Sequence, residues 1–178
     1  GLKSFKEEAA KLMKLHDIIG TVNVFAIFEE NNTAYLVMEY LDGCTLAQML
    51  KEKKIMPVEE ALKMIRPVIR SLQEIHKNNL IHRDITPDNI FITKSGELKV
   101  LDFGSARYSA LAQNKSISVI VKQGYAPPEQ YQLYKDQGSW TDVYSLAATI
   151  YKMITGKVPE DSITRMVKDT LEAPSALG

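Results

Sequence analysis

Three oxygen-bearing side chains in the middle of the chain constrain its fold more than any other feature. Asp84 is followed five residues later by Asn89, and Asp102 follows thirteen residues after that. Two short apolar runs lie between Asn89 and Asp102, and a glycine-containing turn at 95–97 joins them. A hairpin of this length returns the second carboxylate towards the amide. The fold must therefore bring all three side chains to one cleft.

These residue types suit the transfer of a phosphoryl group. Such a reaction needs an acceptor hydroxyl aligned with the phosphate and a carboxylate that takes its proton, which is the role expected of Asp84. Magnesium prefers oxygen ligands, and Asn89 and Asp102 supply an amide oxygen and a carboxylate. Each residue alone would be an ordinary loop residue. Their order and spacing together indicate a phosphotransferase.

The composition excludes some classes of partner. The 178 residues include 22 Lys and Arg and 22 Asp and Glu, so we expect neither a nucleic-acid surface nor contact with a membrane. Cys44 is the only cysteine, which fits a reducing compartment. The strongly apolar stretch at 143–153 is too short to cross a bilayer. We expect a cytoplasmic protein, or the cytoplasmic domain of a membrane-anchored parent.

Hydrophobic periodicity and turn residues divide the chain into short elements. We predict helices at 4–15, 46–53, 57–78, 141–155 and 162–171, and strands at 21–28, 33–40, 80–82, 90–93 and 98–101. Thr45 is the predicted N-cap of the second helix, and Gly156 ends the fourth. The third helix has a predicted buried stripe, which comprises Ala61, Leu62, Ile65, Val68, Ile69, Leu72 and Ile75.

Four segments carry a resemblance to a known family: HRDITPDNIFI, LDFGSAR, GYAPPEQY and TDVYSLAATIYKMITGKVPED. The chain resembles the larger lobe of a serine/threonine protein kinase of bacterial type, preceded by a remnant of the smaller lobe. The resemblance covers nearly the whole chain, from about Phe5 onwards. It implies an α+β fold, with one helix and two strands of the smaller lobe at 1–40 and a mostly helical larger lobe at 41–178.

The resemblance also implies an activity. The parent protein would transfer the γ-phosphate of ATP to serine or threonine hydroxyls of proteins, with Mg²⁺ or Mn²⁺ as cofactor. Asp84 would be the catalytic carboxylate, and Asn89 and Asp102 would hold the metal. Asp142 would hold the backbone around His82 and Arg83.

Further residues are assigned to the nucleotide by the same resemblance. Glu8 would pair with a lysine that holds the phosphates. Met38 would lie beside the nucleotide pocket, and the backbone of Glu39 and Leu41 would bond the adenine edge. Phe91 would lie under the adenine ring.

Two positions depart from the pattern of the family. Thr86 stands where these kinases usually have a lysine that neutralises the transferred group, and Lys122 stands where they usually have a threonine that bonds the catalytic aspartate. We hypothesise that Lys122 reaches Asp84 and the phosphate region and restores the missing charge from the other side, so that it belongs to the catalytic residues. The competing interpretation is an exposed loop lysine.

The segment before Glu8 contains neither a glycine-rich loop nor a strand lysine. We therefore expect the 178-residue chain alone to be inactive or very weak, although its catalytic residues indicate an active parent. The strands at 21–28 and 33–40 would have an exposed edge that pairs with another copy.

Two other functions remain open from the sequence. One is a non-catalytic, kinase-like binding or scaffold module. The other is a small-molecule phosphotransferase of the aminoglycoside or choline type. Arg83, where those enzymes usually have glycine, and the Pro-Pro-Glu segment at 127–129 favour protein substrates.

Overall fold

The computed structural model describes residues 18–31, 33–101, 121–131 and 136–177. Within these ranges the strands are β1 (Val24–Glu30), β2 (Thr33–Met38), β3 (Gly43–Thr45), β4 (Ile90–Thr93) and β5 (Leu98–Val100). The helices are α1 (Leu46–Lys53), α2 (Val58–Lys77), α3 (Ser139–Thr155) and α4 (Ser162–Val167). Short 3₁₀ turns occur at Pro87–Asn89, Pro128–Tyr131 and Pro174–Ala176. This mixture of helices and antiparallel strands is the predicted α+β class, and the predicted 4–15 helix lies outside the described residues.

The strands form two separate antiparallel sheets. β1 and β2 make a hairpin in which Ile27 pairs with Leu36. β3, β4 and β5 make a three-stranded sheet in which Phe91 pairs with Thr45 on one side and with Lys99 on the other. A single bridge between Thr21 and Val100 connects the segment before the hairpin to the larger sheet.

Helix α1 begins where its sequence predicts. Thr45 Oγ1 accepts a hydrogen bond of 3.2 Å from the Gln48 N–H, and the Gln48 side-chain oxygen accepts one of 2.8 Å from the Thr45 N–H. This reciprocal capping box satisfies N–H groups that no helical carbonyl can reach. The predicted cap is confirmed, and such a cap stabilises a helix by about 1 kcal/mol.

Helix α2 buries a narrower stripe than its sequence indicates. The buried apolar residues are Ala61, Ile65, Val68, Leu72 and Ile75, at alternating spacings of four and three. Leu62 and Ile69 are 46% and 36% exposed, so their predicted burial is wrong. Each lies one residue beyond a stripe member, which turns its side chain by about 100° around the helix.

The hydrophobic core lies between α1, α2, α3 and the three-stranded sheet. Its largest fully buried apolar side chains are Leu46, Met56, Ile65, Ile75, Ile85, Ile90 and Met153. Ile85 directly follows Asp84, and Ile90 directly follows Asn89. The core therefore anchors the chain next to each of these two predicted site residues.

Three element predictions differ from the structure. Residues 80–82 form no strand, and α4 ends at Val167 rather than at 171. The three-residue strand β3 was not predicted, because it is defined by pairing with β4 rather than by local pattern. Gly43 in β3 has a φ of +155°, and a Cβ there would lie 2.0 Å from the Ile92 carbonyl oxygen. Only glycine allows the two backbones to approach so closely.

Candidate active site

Helix α3 presents a polar face to the middle of the molecule. Asp142, Ser145 and Thr149 are buried and follow one another at spacings of three and four, which places them on one side of the helix. Polar side chains in such a position need partners, because burial removes their bonds to water. Each of the three bonds the backbone of another segment.

Asp142 holds the start of the segment at 82–89, which is named the catalytic loop because it carries the predicted site residues Asp84 and Asn89. Its Oδ2 accepts from the His82 N–H at 2.9 Å, and its Oδ1 accepts from the Arg83 N–H at 2.7 Å. The His76 Nε2 of α2 lies 2.7 Å from the same Oδ2. The predicted contact of Asp142 with this backbone is confirmed. The third partner, His76, was not predicted.

This double contact accompanies an uncommon backbone conformation. Arg83 has a φ of +70°, in the left-handed region that side-chain-bearing residues rarely occupy. Two successive N–H groups point at one carboxylate, and this pair of hydrogen bonds offsets the energetic cost of the left-handed conformation. Left-handed residues of this kind cluster at functional sites. Asp142 thus fixes the chain direction immediately before Asp84.

His82 links the loop to the segment that precedes Asp102. Its Nδ1 accepts from the Asp84 N–H at 3.2 Å, and its Nε2 lies 2.8 Å from the Leu101 carbonyl oxygen. An acceptor at Nδ1 must be unprotonated, so Nε2 carries the hydrogen and donates to Leu101. The imidazole therefore connects both halves of the predicted site.

Asn89 orients the predicted catalytic carboxylate. Its Nδ2 donates to Asp84 Oδ2 at 2.7 Å and to the Asp84 carbonyl at 2.9 Å. The 3₁₀ turn at Pro87–Asn89 brings the two residues together, and the Leu101 N–H bonds the Asn89 carbonyl at 2.8 Å. Both N–H donors of the Asn89 amide face Asp84, so Asn89 Oδ1 is the amide atom left for a cation. This arrangement fits the predicted metal-ligand role of Asn89.

Two further residues of α3, Ser145 and Thr149, hold the site, and neither was predicted from the sequence to do so. Thr149 Oγ1 donates to the Ile85 carbonyl at 3.0 Å, and Ser145 Oγ donates to the Tyr125 carbonyl at 2.9 Å. The sequence pattern that could have indicated them is a set of polar residues at helical spacing within an otherwise apolar helix. One helix therefore holds both the catalytic loop and the segment around Tyr125.

Lys122 forms an ion pair with a different carboxylate from the one predicted. Its ammonium binds Asp88 Oδ2 at 2.7 Å rather than Asp84. The Asp84 Oδ2 already accepts from Asn89, whereas Asp88 projects from the 3₁₀ turn towards solvent. Tyr125 is close by: burial, and then the negative charge of Asp88, raises the pKa of its phenol to about 12.

The residues predicted to meet the nucleotide lie around the connection between β2 and β3. Met38 ends β2 with an exposed side chain, and Glu39 and Leu41 follow it. The Lys99 ammonium donates to Glu39 Oε1 at 2.9 Å, and Lys99 is the cross-strand neighbour of Phe91. The structure thus brings this connection next to the strand of Phe91.

Glu39 is also held by two hydrogen bonds to the backbone of Asn23, directly before β1. Its Oε1 accepts from the Asn23 N–H at 2.9 Å, and its N–H donates to the Asn23 carbonyl at 2.9 Å. Burial acts to raise the pKa of Glu39, but the hydrogen bonds from Lys99 and Asn23 outweigh it and lower the pKa. The carboxylate is therefore ionised where the two sheets meet.

Two predicted site residues, Glu8 and Asp102, lie outside the described residues. Among those described, no cluster of three or more His, Cys, Asp or Glu side chains is arranged to hold a metal. None of the described helices combines the length and the apolar character needed to cross a bilayer.

Comparison with known proteins identifies the family. The model of the family described as "Protein kinase domain" matches residues 3–174. A "probable serine/threonine-protein kinase" of Clostridium perfringens is 37% identical over 178 residues, which cover 96% of this chain and 25% of the relative. The serine/threonine-protein kinase PrkC of Bacillus subtilis is 32% identical over 164 residues, which cover 90% of this chain and 24% of PrkC.

Two further matches agree. The serine/threonine-protein kinase PknL of Mycobacterium tuberculosis is 34% identical over 159 residues, or 89% of this chain and 39% of PknL. The chain thus spans about a quarter to two fifths of the length of these curated relatives. A solved structure described as "PpkA-294 apo form" superimposes with a TM-score of 0.80 and 33% identity, over 99% of this chain and 65% of that one. The chain belongs to the protein kinase family.

Proposed function

We propose that this chain carries the catalytic centre of a serine/threonine protein kinase, which transfers the γ-phosphate of ATP to a protein hydroxyl. One observation carries the proposal. The Asp84 carboxylate is bonded by Asn89 within a loop whose backbone is held by the buried Asp142. A preorganised carboxylate is what the acceptor hydroxyl requires.

Asp84 would act on the acceptor. The serine or threonine oxygen forms a bond to the γ-phosphorus, and the bond from that phosphorus to the bridging oxygen breaks, so that ADP leaves with the electron pair. The hydroxyl proton passes to the Asp84 carboxylate. Asn89 keeps that carboxylate in one orientation, since its amide bonds both the side chain and the carbonyl of Asp84.

Asn89 Oδ1 and the Asp102 carboxylate are the proposed ligands of a divalent cation, Mg²⁺ or Mn²⁺. Such a cation neutralises charge on the phosphates of ATP. For the nucleotide, we propose that the Glu39 carbonyl and the Leu41 N–H meet the adenine edge, with Met38 beside it and Phe91 beneath it. Glu8 remains the proposed partner of a phosphate-binding lysine.

The test is a phosphotransfer assay with γ-labelled ATP. It compares residues 1–178 with the longest protein that the gene encodes, and offers protein, aminoglycoside and choline acceptors in parallel. We expect label on serine or threonine of proteins from the longer chain, and little or none from residues 1–178. Asp84→Asn should reduce the rate at least about 100-fold, whereas Asp136→Asn, at an exposed position, should not.

The other outcomes point to the rival functions. Label only on a small acceptor would identify a small-molecule phosphotransferase. ATP binding without transfer to any acceptor would favour a non-catalytic binding or scaffold module. Self-association through the edges of β1 and β2, and a cytoplasmic location, stay predictions.

A further inference from the structure

Phosphoryl transfer needs positive charge close to the group that moves, because negative charge spreads over its oxygens in the transition state. The catalytic loop at 82–89 contains no lysine, and its one arginine, Arg83, lies before Asp84 and not between Asp84 and Asn89. Thr86 lies in its middle, is 1% exposed, and its Oγ1 has no hydrogen-bond partner among the described residues. A lysine that serves this loop must therefore come from another segment.

Lys122 is the lysine that the structure joins to this loop. Its ammonium binds Asp88, which lies between Asp84 and Asn89, at 2.7 Å. An ammonium has three N–H donors and Asp88 Oδ2 takes one of them, so two are left for another anion.

The backbone of Lys122 is fixed relative to the loop. Its carbonyl accepts from the N–H groups of Tyr125 and Ala126, both at 3.0 Å. The Tyr125 carbonyl accepts from Ser145 of α3, whose neighbours Asp142 and Thr149 hold the catalytic loop. Lys122 and Asp84 therefore belong to two segments that are both hydrogen-bonded to the same face of α3.

The Lys122–Asp88 pair is poorly explained as a device for stability. Its side chains are 47% and 59% exposed, and ion pairs so open to water contribute little to stability. The same exposure lets the ammonium turn to a ligand that reaches the loop. Asp88 then serves to keep the charge in place before the ligand arrives.

We propose that Lys122 is a catalytic residue whose ammonium contacts the transferred phosphoryl group, and that Asp88 is its positioning residue. The inference rests on the proposed kinase activity. It keeps the predicted approach of Lys122 to the phosphate region, but replaces the predicted Lys122–Asp84 contact with the Lys122–Asp88 pair. The new element is the role of Asp88, which aims the charge. It assigns a role to a segment outside the catalytic loop.

The test uses the longest protein that the gene encodes, with kcat and the KM for ATP measured separately. Lys122→Ala should lower kcat about 100-fold and leave the KM for ATP within about threefold, since the contact is strongest in the transition state. Lys122→Arg, which keeps the charge, should retain at least about a tenth of kcat. Asp88→Asn should lower kcat about fivefold, because the ammonium remains but is less well aimed.

Lys53→Ala is the matched control. Lys53 pairs with Glu60 at 2.7 Å, and the two side chains are 51% and 43% exposed, much like Lys122 and Asp88. Its removal should leave kcat unchanged. If Lys122→Ala behaves like Lys53→Ala, or if Lys122→Arg is as slow as Lys122→Ala, the proposal is overturned.

A second arm tests charge directly. Adding a small primary amine to Lys122→Ala should raise kcat at least about fivefold, whereas adding a neutral alcohol should not; no response to the amine would count against a missing charge. A double variant combines Lys122→Thr with Thr86→Lys. If the buried position accepts the lysine, this variant should recover activity that Lys122→Thr alone has lost; if it does not, the result with the added amine decides whether a charge is missing.

A wild-type protein that transfers no phosphate would overturn the kinase activity itself. An active wild type with a fully active Lys122→Ala would overturn the role of Lys122 alone.

Discussion

The catalytic loop at 82–89 and the β1–β2 hairpin are held in opposite ways. The loop is tied by side-chain hydrogen bonds from α3 to the backbone of His82, Arg83 and Ile85. The hairpin is held mainly by pairing between its own two strands, and its aromatic side chains Phe28 and Tyr35 stack in an exposed position with ring centroids 5.0 Å apart. The loop therefore depends on distant residues, and the hairpin on local ones.

This difference separates fixed geometry from adjustable geometry. A buried polar contact permits one arrangement, because any other leaves a polar group without a partner. An exposed hairpin can shift as a unit at little cost, since water replaces the contacts that it loses. We expect the loop to keep its shape while the hairpin adapts to a nucleotide. The variants below test that contrast.

Removing the main anchor of the loop should have the largest effect. Asp142→Ala leaves the N–H groups of His82 and Arg83 without their acceptor and removes the partner of His76. We expect the free energy of unfolding to fall by about 3 kcal/mol, as measured by urea denaturation. Asp169→Ala removes an exposed carboxylate paired with Arg165 and should cost less than about 1 kcal/mol. Equal losses in the two variants would refute the special status of the loop.

The junction between the two regions should give a smaller, pH-dependent effect. The pKa of Glu39 is lowered from 4.5 in the folded chain, so its contribution to stability is present above about pH 4.5 and is lost as the pH falls through the folded pKa. Lys99→Gln should remove about 2 kcal/mol at pH 7, because both side chains of the pair are largely buried, and should flatten the loss of stability between pH 5 and pH 3. Urea denaturation across that range is the measurement.

Lys94→Gln is the control for this comparison, because Lys94 forms an exposed pair with Asp42 at 2.7 Å. Its pH profile should follow that of the wild type. A wild-type profile for Lys99→Gln as well would show that the junction does not depend on the Glu39–Lys99 pair.

The hairpin should give the smallest effect. Phe28→Ala removes the stacking partner of Tyr35 and should cost about 0.5–1 kcal/mol. The rate of phosphate transfer should not change. Phe25→Ala is a matched control on the same strand, since Phe25 is exposed and has no ring contact among the described residues. A large loss of activity in Phe28→Ala alone would show that the hairpin is as constrained as the loop.

The same contrast explains how much of the molecule could be predicted from its sequence. The cap at Thr45 and the end of α3 at Gly156, which has a φ of +71°, are set by neighbouring residues, and both were predicted. Strand β3 pairs with residues nearly fifty positions away, and its own three residues give no local pattern. Periodicity located the buried side of α2 but not its width, so Leu62 and Ile69 were misplaced.

The candidate site also contains one contact that was predicted and others that were not. The resemblance to kinases supplied the Asp142 contact, because the family shares it. The choice of Asp88 over Asp84 by Lys122 depends on how one short 3₁₀ turn points each carboxylate, which spacing alone does not give. The Glu39–Lys99 pair joins residues sixty positions apart. Charge composition alone cannot assign such a partner.

The anchoring of the loop on α3 also dictates when the site can form during synthesis. Asp142 lies sixty residues after His82, and ribosomes add about 5–20 residues per second. A nascent chain therefore carries the whole 82–89 segment for several seconds before the helix that shapes it has been translated. In that interval His82 and Arg83 are free to take the right-handed or extended conformations that arginine prefers. The contacts of Asp142 and Thr149 with this segment can therefore form only after translation has passed Thr149.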